Sequence, residues 1–405
     1  MQPPTRSLTG ATLALVLSLT ATACLDQEVS SPIVAPEFGV VQGSPGDASD
    51  ISVYTQNVFL GGDTGPLFSL DLTDTSPEGI GAVIQATNIF WAEVQASDIP
   101  SRAAEFVNEI ESRQPDVVAL QEAVGYATGT LSFGGVFTPS AGGPDLLLAV
   151  MTEIATRGLP YSLAAMQPTT AIALPIGPPG ATGFPALAVQ DRVVMFVHDD
   201  IVDYDTDQGI YAARLPLGPV DLVRGWIRLS TEKRGVAHHF VVTHLETQGS
   251  ADPSSGIPYF IRQVHNGQAA ELQGAVLAGL EGVTVVMGDL NSDAAADPSA
   301  PSYTDTYGNL VAAGFTDVWQ QGPHPSRESG VTCCQEDGTE PRVPSERIDF
   351  VLFRSSTPWA DNGNHRGYFR AEVIGSDEAD RTPSGVWPSD HAGIVASLRL
   401  PEGMR

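Results

Sequence analysis

Short runs of apolar, often β-branched residues recur from Ile51 to Leu398, and they constrain the fold of this chain more than any other feature. Ile51–Asn57, Asp116–Leu120, Arg192–His198, Gly225–Ser230, His238–His244, Val283–Gly288, Ile348–Phe353 and Ala392–Leu398 read as strands. Most are brief and continuous enough to be buried. Helical patterns are fewer. In Pro100–Arg113 the residues Ala103, Val107 and Ile110 share one face with Phe106 beside them, and Pro100 suits a first turn. Asp145–Thr156 reads as a second helix, and Ile261–Leu280 as a third with Val264, Gln268, Leu272, Val276 and Gly279 in a stripe. The stretches 125–144, 167–190, 291–309 and 320–345 are rich in Gly, Pro, Ser and Asp and read as surface loops, which at such lengths often frame a site. With 405 residues and no internal repeat, one large domain or two smaller ones are expected.

The N-terminus reads as a targeting segment. Arg6 supplies a positive charge, and the apolar stretch Ala11–Leu19 is shorter than the roughly 20 residues a spanning helix needs. Ala21-Thr22-Ala23-Cys24 resembles a bacterial lipoprotein cleavage site, with a leader over 1–24 and Cys24 as the lipidated residue. An ordinary secretory signal that happens to contain a cysteine is the alternative. Residues 25–50, rich in Pro, Gly, Ser and acidic side chains, read as a flexible tether ahead of a folded domain over 51–402. Export to a bacterial cell envelope is expected, either secreted or held to the membrane by a lipid anchor at Cys24. Cys333 and Cys334 are adjacent, so no ordinary disulfide framework exists, and without a C-x-x-C pair a structural zinc site is not expected.

Acidic residues outnumber basic ones, 48 against 20, for a formal net charge of −28. Such a surface disfavours non-specific binding to duplex DNA, which draws on counterion release by Lys and Arg. A metal site can still capture a single phosphate.

Several of the apolar runs carry polar groups at their ends, where strands can aim side chains into one shared mouth. Asn57 ends the run Val53-Tyr54-Thr55-Gln56-Asn57, though an Asn ending a strand at a turn is common. Glu122 follows Val117-Val118-Ala119-Leu120-Gln121, and a carboxylate there suits a hard cation that wants oxygen donors. His244, in Val242-Thr243-His244-Leu245, can donate to a phosphoryl oxygen or a leaving group, although a lone His is more often structural. In Gly288-Asp289-Leu290-Asn291 the glycine permits a tight turn, and Asp289 and Asn291 at i and i+2 point to one side of an extended chain. Together they can handle a water or metal and a phosphate oxygen. Asp349, in Arg347-Ile348-Asp349-Phe350-Val351, and His391, in Ser389-Asp390-His391, make a carboxylate–imidazole pair, with Asp390 a further candidate ligand or relay to a metal.

Taken singly these segments say little. In order, Asn57, Glu122, His244, Asp289 with Asn291, Asp349, and Asp390 with His391 resemble the motif series of the endonuclease/exonuclease/phosphatase superfamily. That superfamily includes deoxyribonuclease-I-like nucleases, neutral sphingomyelinases and inositol polyphosphate 5-phosphatases. The resemblance implies an α/β (α+β) fold, a four-layer αββα sandwich with two mostly antiparallel central sheets. It implies a Mg2+ or Mn2+ ion held chiefly by Glu122 with Asn57, Asp289 and Asp390 near it. His391 paired with Asp349 would sit by the phosphate, either as the base or as a charge stabiliser with Asp289 orienting the attacking water, and His244 would support the phosphoryl or leaving group. Asn291 and Asn57 would bind phosphate oxygens. Arg224-Gly225-Trp226 and the helix from Gln263 to Leu272 fit the same pattern more loosely. The expected activity is hydrolysis of a phosphodiester or phosphomonoester on a small molecule or lipid headgroup. A deoxyribonuclease-like extracellular nuclease acting on nucleic acid is the first alternative. A surface lipoprotein that binds without turnover is the second. No protein partner is expected.

Overall fold

The computed structural model describes residues 50–399 except 219, 234, 322–329, 335–343 and 357–368. The expected leader 1–24 with Cys24, all but the last residue of the tether, and most of the loop 320–345 lie outside the described residues.

Two large sheets carry the fold. The first has eight strands in the order Phe369–Ile374, Gly393–Arg399, Asp50–Asn57, Val117–Gln121, Gly183–His198, Gly125–Ser132 and Phe137–Asp145, with Tyr161–Pro175 also paired to Gly183–His198. The second runs Thr316–Asp317, Asp349–Ser355, Val283–Asp289, Val236–His244, Gly225–Lys233 and Tyr204–Ile210. A small ribbon, Leu215–Leu217 with Val220–Leu222, stands apart. Among the described residues only Asp50–Asn57 with Val117–Gln121, and Val236–His244 with Val283–Asp289, pair in parallel.

The period-two alternation of strand side chains builds the layers. Val53, Ala119, Met195, Ile227, Val242, Val285, Val351 and Ile394 point inward and form the core between the sheets. Their neighbours Tyr54, Val118 and Phe196 face the other way, against Phe90, Phe106 and Ile110 of the helices Pro77–Ala96 and Ile99–Arg113. On the far side Val241, Val286 and Phe350 pack on Ala269 and Leu272 from the helix Ile257–Glu271 and the turn after it. The result is a four-layer αββα sandwich with mostly antiparallel sheets.

The eight expected strands all form. The loops expected over 125–144 and 167–190 do not. Those residues largely make the strands Gly125–Ser132, Phe137–Asp145, Tyr161–Pro175 and Gly183–His198. Phe137–Asp145 is exposed along most of its length, so backbone pairing to Gly125–Ser132 makes it a strand and no burial pattern marks it. The helix Pro77–Ala96 also was not expected. Its buried Val83, Ala86, Thr87, Phe90 and Val94 have helical spacing, diluted by Gly79, Gly81 and polar residues, and its N-cap Ser76 accepts from Gly79 N at 3.0 Å. The third expected helix starts earlier, at Ile257, and passes into a π-turn over Leu272–Val276.

Arg102, on the helix Ile99–Arg113, is 1% exposed. It donates to Pro388 O at 2.7 Å, to Phe59 O at 2.8 Å, to Ser97 Oγ at 3.4 Å and to Val58 O. One cation therefore ties the turn that follows Asn57 to the segment that precedes His391. Burial lowers its pKa to about 10 against the opposing pull of Asp390, Tyr126 and Glu122, so it stays charged at neutral pH. Arg102→Leu leaves these carbonyls buried without donors, and urea denaturation should show a loss of about 2–5 kcal/mol.

Candidate active site

Strand register brings the polar groups together. In the second sheet Gly225 faces His244, His244 pairs with Asp289, and Asp289 pairs with Asp349, on four successive strands. In the first sheet Asn57 pairs with Gln121, placing Glu122 one step beyond. Thr55 pairs with Ile394, so Ser389, Asp390 and His391 lie just past the same end. A pocket of about 380 Å³ opens there, lined by Asn57, Glu122, Arg224, His244, Asp289 and His391, among others. Asn291 lines it too. Asp349 is fully buried behind His391, and Asp390 is half-buried beside the pocket.

Two local expectations are corrected. Gly288 lies within the strand and makes no turn; a Cβ there would stand 2.1 Å from Thr243 O, so glycine is needed for close approach of neighbouring strands. Asn291 is not extended: its φ is 45°, and its N–H donates to Asp289 Oδ1 at 2.8 Å. A turn, not strand periodicity, sets the two residues side by side. The Asn291 amide donates to Leu245 O at 3.0 Å and approaches Asp289 Oδ2 at 3.4 Å. Glu122 and Phe59 also carry positive φ, 60° and 62°.

Hydrogen bonds fix the orientation of each imidazole. His391 Nδ1–H donates to Asp349 Oδ2 at 2.9 Å, leaving Nε2 for the pocket. Gln56 donates to His391 O at 2.7 Å, and His391 N–H donates to Ser389 Oγ at 3.1 Å. Arg224 can only donate, so His244 Nδ1 accepts its guanidinium N–H at 3.0 Å, and the His244 proton sits on Nε2, 3.5 Å from Asp289 Oδ2. Asn57 donates to Asp289 Oδ2 at 3.2 Å, while its own Oδ1 accepts Phe59 N–H at 3.1 Å. Glu122 Oε2 accepts Leu60 N–H at 2.9 Å.

Charge is crowded here. Burial, then the charges of Asp390 and Asp191, push Glu122 up to about 8. Burial and the Asp349 charge push Asp289 up to about 7. Burial, Arg224 and His391 hold His244 well below the usual imidazole range. Burial alone would lower His391 as well, but the charge and hydrogen bond of Asp349, with Asp390 and Asp289, raise it well above that range.

This donor set fits a hard divalent cation. Glu122, Asp289 and the amide of Asn57 offer oxygens to one pocket, and burial with neighbouring acidic charges raises both carboxyls despite the opposing pull of His391, a penalty that a bound cation would relieve. Asp289, Asp349 and His391 also bring ligand atoms within 4.8 Å of one another. The set around Glu122 is the better match for a hard cation, because it offers oxygens alone where this second group includes an imidazole that Asp349 already orients.

Arg224 was only loosely legible in the sequence and proves central. It bridges His244, Glu246 at 3.3 Å and Asp191 at 3.9 Å. Asp191 was missed, although an aspartate beside the apolar run Val193-Val194-Met195-Phe196-Val197 marks a buried charge. Gln268, on the helix stripe, accepts Glu246 N–H at 2.7 Å and so positions the loop after His244. Thr332 was missed as well: its hydroxyl accepts the N–H groups of Ile348 at 3.4 Å and Asp349 at 3.3 Å, bracing the residue that orients His391.

The sequence model of the Endonuclease/Exonuclease/phosphatase family matches residues 86–391. Solved structures similar to this chain include an endonuclease/exonuclease/phosphatase from Beutenbergia cavernae DSM 12333, at 19% identity and TM-score 0.48, covering 87% of this chain and 72% of that one. Another is a family protein from Leptotrichia buccalis C-1013-b, at 12% identity and TM-score 0.46, covering 86% and 100%. A third is D. rerio TDP2 complexed with single strand DNA product, at 16% identity and TM-score 0.45, covering 87% and 100%. No curated protein matches the chain.

The crowded acids set a pH dependence. Unfolded, Glu122 and Asp289 lose their protons near 4.5 and 3.8, whereas folded they hold them to about 8 and 7. His391 likewise holds its proton above the ordinary 6.5. The folded state therefore binds more protons between pH 6.5 and 8.5, and stability falls as pH rises through that window. His244, with His238, His239 and His265 also lowered from 6.5, opposes this slope at the lower edge of the window, where the unfolded imidazoles still carry protons, and less so as pH rises. Melting temperatures in EDTA should decline from pH 6.5 to 8.5, and Mn2+ should raise them more at pH 8.5 than at 6.5. A metal-induced shift that is the same at both pH values would contradict this.

Proposed function

The chain belongs to the endonuclease/exonuclease/phosphatase family, and from that premise we propose that it is an exported, divalent-metal-dependent phosphoesterase acting on a small-molecule or lipid-headgroup phosphoester. The observation that carries this reading is one pocket of about 380 Å³ that holds the carboxylates of Glu122 and Asp289 together with the Asp349-oriented imidazole of His391.

Glu122, with Asn57, Asp289 and Asp390 near it, would hold Mg2+ or Mn2+, which when bound supplies Lewis-acid polarisation of the phosphoryl oxygen. Water attacks phosphorus in line, oriented by Asp289. Asp349 fixes the His391 tautomer, so that Nε2 meets the phosphate or moves a proton at the attacking or leaving oxygen. His244, held by Arg224, supports the phosphoryl or leaving group, and Asn291 steadies a non-bridging oxygen. A net charge of −28 weakens any hold on a polyanion, which favours small or lipid-borne phosphates over duplex DNA.

The test is a panel of plasmid DNA, RNA, sphingomyelin, phosphoinositides, sugar phosphates and bis-p-nitrophenyl phosphate, offered to the purified chain with Mg2+, Mn2+ or EDTA. Hydrolysis of lipid or small phosphoesters that EDTA stops is expected. Preferred cleavage of DNA would replace the substrate reading with the nuclease one, and full activity in EDTA would remove the metal. His391→Ala and Asp349→Asn should each lower kcat by about 100- to 10,000-fold while circular dichroism stays that of the parent; near-parental rates would discard the pair.

Export and anchoring rest on the leader and Cys24. In a bacterial host the chain should partition with membranes and incorporate labelled palmitate, and Cys24→Ser should release it to the soluble fraction. An unchanged membrane fraction in that variant would argue against the lipid anchor.

A further inference from the structure

A second cavity, of about 280 Å³, opens beside the pocket and shares with it Glu122, Arg224 and Thr247. Its walls are otherwise chiefly hydrocarbon. Leu67 comes from the short helix Gly65–Phe68, Ile172 and Leu174 from the strand Tyr161–Pro175, and Leu217 and Leu222 from the two arms of the small ribbon. Four charged groups line it, Glu122, Asp191, Arg224 and Glu246, and Arg224 links them: it reaches Glu246 at 3.3 Å and Asp191 at 3.9 Å, while its other contact is His244 in the reaction pocket. The cavity therefore has one charged corner, and that corner is the wall it shares with the catalytic groups. Enclosed apolar walls with polar groups at a single corner are the mark of a ligand site that anchors a head and buries a tail.

We propose that this cavity receives the hydrocarbon part of an amphiphilic phosphoester whose phosphate lies between Arg224, His391 and Glu122. The inference rests on the phosphoesterase reading and narrows its substrate to esters that carry an alkyl or acyl chain next to the phosphate. A molecule with its phosphate in the pocket has two directions in which to extend. The open mouth is polar, lined by Gln248, Ser302 and Glu346. Past the corner that Glu122, Arg224 and Thr247 form, the second cavity is walled chiefly by hydrocarbon, and an alkyl chain entering it leaves water. Burying one methylene is worth about 0.8 kcal/mol, so each added carbon that fits should tighten binding about fourfold until the cavity is full. Leu217 and Leu222 are half-buried on a ribbon outside both large sheets, so they can be altered without cutting into the main cores.

Two measurements on the purified full chain test this, one of them independent of turnover. In the first, p-nitrophenyl alkyl phosphodiesters from methyl to decyl, kept below their micelle concentrations, are hydrolysed with Mn2+ present. The expected result is a kcat/KM that climbs about fourfold per carbon and then levels, carried by KM. In the second, calorimetry with alkyl phosphonates of the same lengths, which are not hydrolysed, should show Kd falling with chain length and a negative heat-capacity change. Leu217→Gln and, separately, Leu222→Gln should bring the octyl-to-methyl ratio down toward one in both measurements, with melting curves checked for each variant. A flat length series in calorimetry overturns the proposal whether or not the chain turns substrate over. So does a steep series that both variants leave untouched, which would report association with the surface at large. Length-dependent binding without hydrolysis of any ester would keep the cavity assignment and instead reject the phosphoesterase reading.

Discussion

The hydrogen bond from His391 Nδ1 to Asp349 Oδ2, 2.9 Å long and buried, joins one sheet to the other at the end where the polar groups collect. Asp349 opens a strand of the second sheet, and His391 lies two residues ahead of a strand of the first. The rest of the site is arranged around that link. Thr332 braces it from the side, its hydroxyl accepting from Asp349 N–H and its carbonyl accepting Ala392 N–H at 2.8 Å. The Cys333–Cys334 segment, which no catalytic motif accounts for, thereby gains a place: Cys333 pairs with Glu346 in an isolated bridge, and both cysteines line the pocket. Arg102 braces the opposite side by holding the carbonyls of Val58, Phe59 and Pro388.

Such a site is costly to assemble. Phe59, Glu122 and Asn291 adopt left-handed backbone, which each costs on the order of 1–3 kcal/mol. Five carboxylates, Glu122, Asp191, Asp289, Asp349 and Asp390, are gathered with few cations among them, and Asp349 Oδ1 has no hydrogen-bond partner among the described residues. The cores packed between the sheets and on the outer face of each supply the stability that offsets this. Local rules are broken where the strands end and kept where they run, which is the distribution expected when function and not folding sets the exceptions.

Much of this was legible beforehand because the polar groups at strand ends sit next to the strongest signals a sequence carries. Val283–Val286 and Val117–Leu120 announce buried strands, with Asp289 three residues and Glu122 two residues beyond them. Phe137–Asp145 announced nothing, since an exposed strand of Gly, Pro, Ser and Thr is defined by its hydrogen-bonding neighbour and not by its side chains. Arg224 was undervalued for a related reason. One arginine ahead of a strand has many possible roles, and only His244, Glu246 and Asp191 converging on it from three separate segments single one out.

The amino-acid order by itself determined which residue types end which strands, and with them the family. Hydrophobic periodicity and strand-end placement are local properties, written within ten residues. Tertiary structure alone decided that Asn291 meets Asp289 through a turn, that Arg224 imposes a tautomer on His244, and that an apolar cavity shares a wall with the pocket. The turn at Asn291 is held by its bond to Leu245 O, and the other two features depend on contacts between separate segments, whose distances are set by register and by the packing of one sheet on another, so no local pattern encodes them.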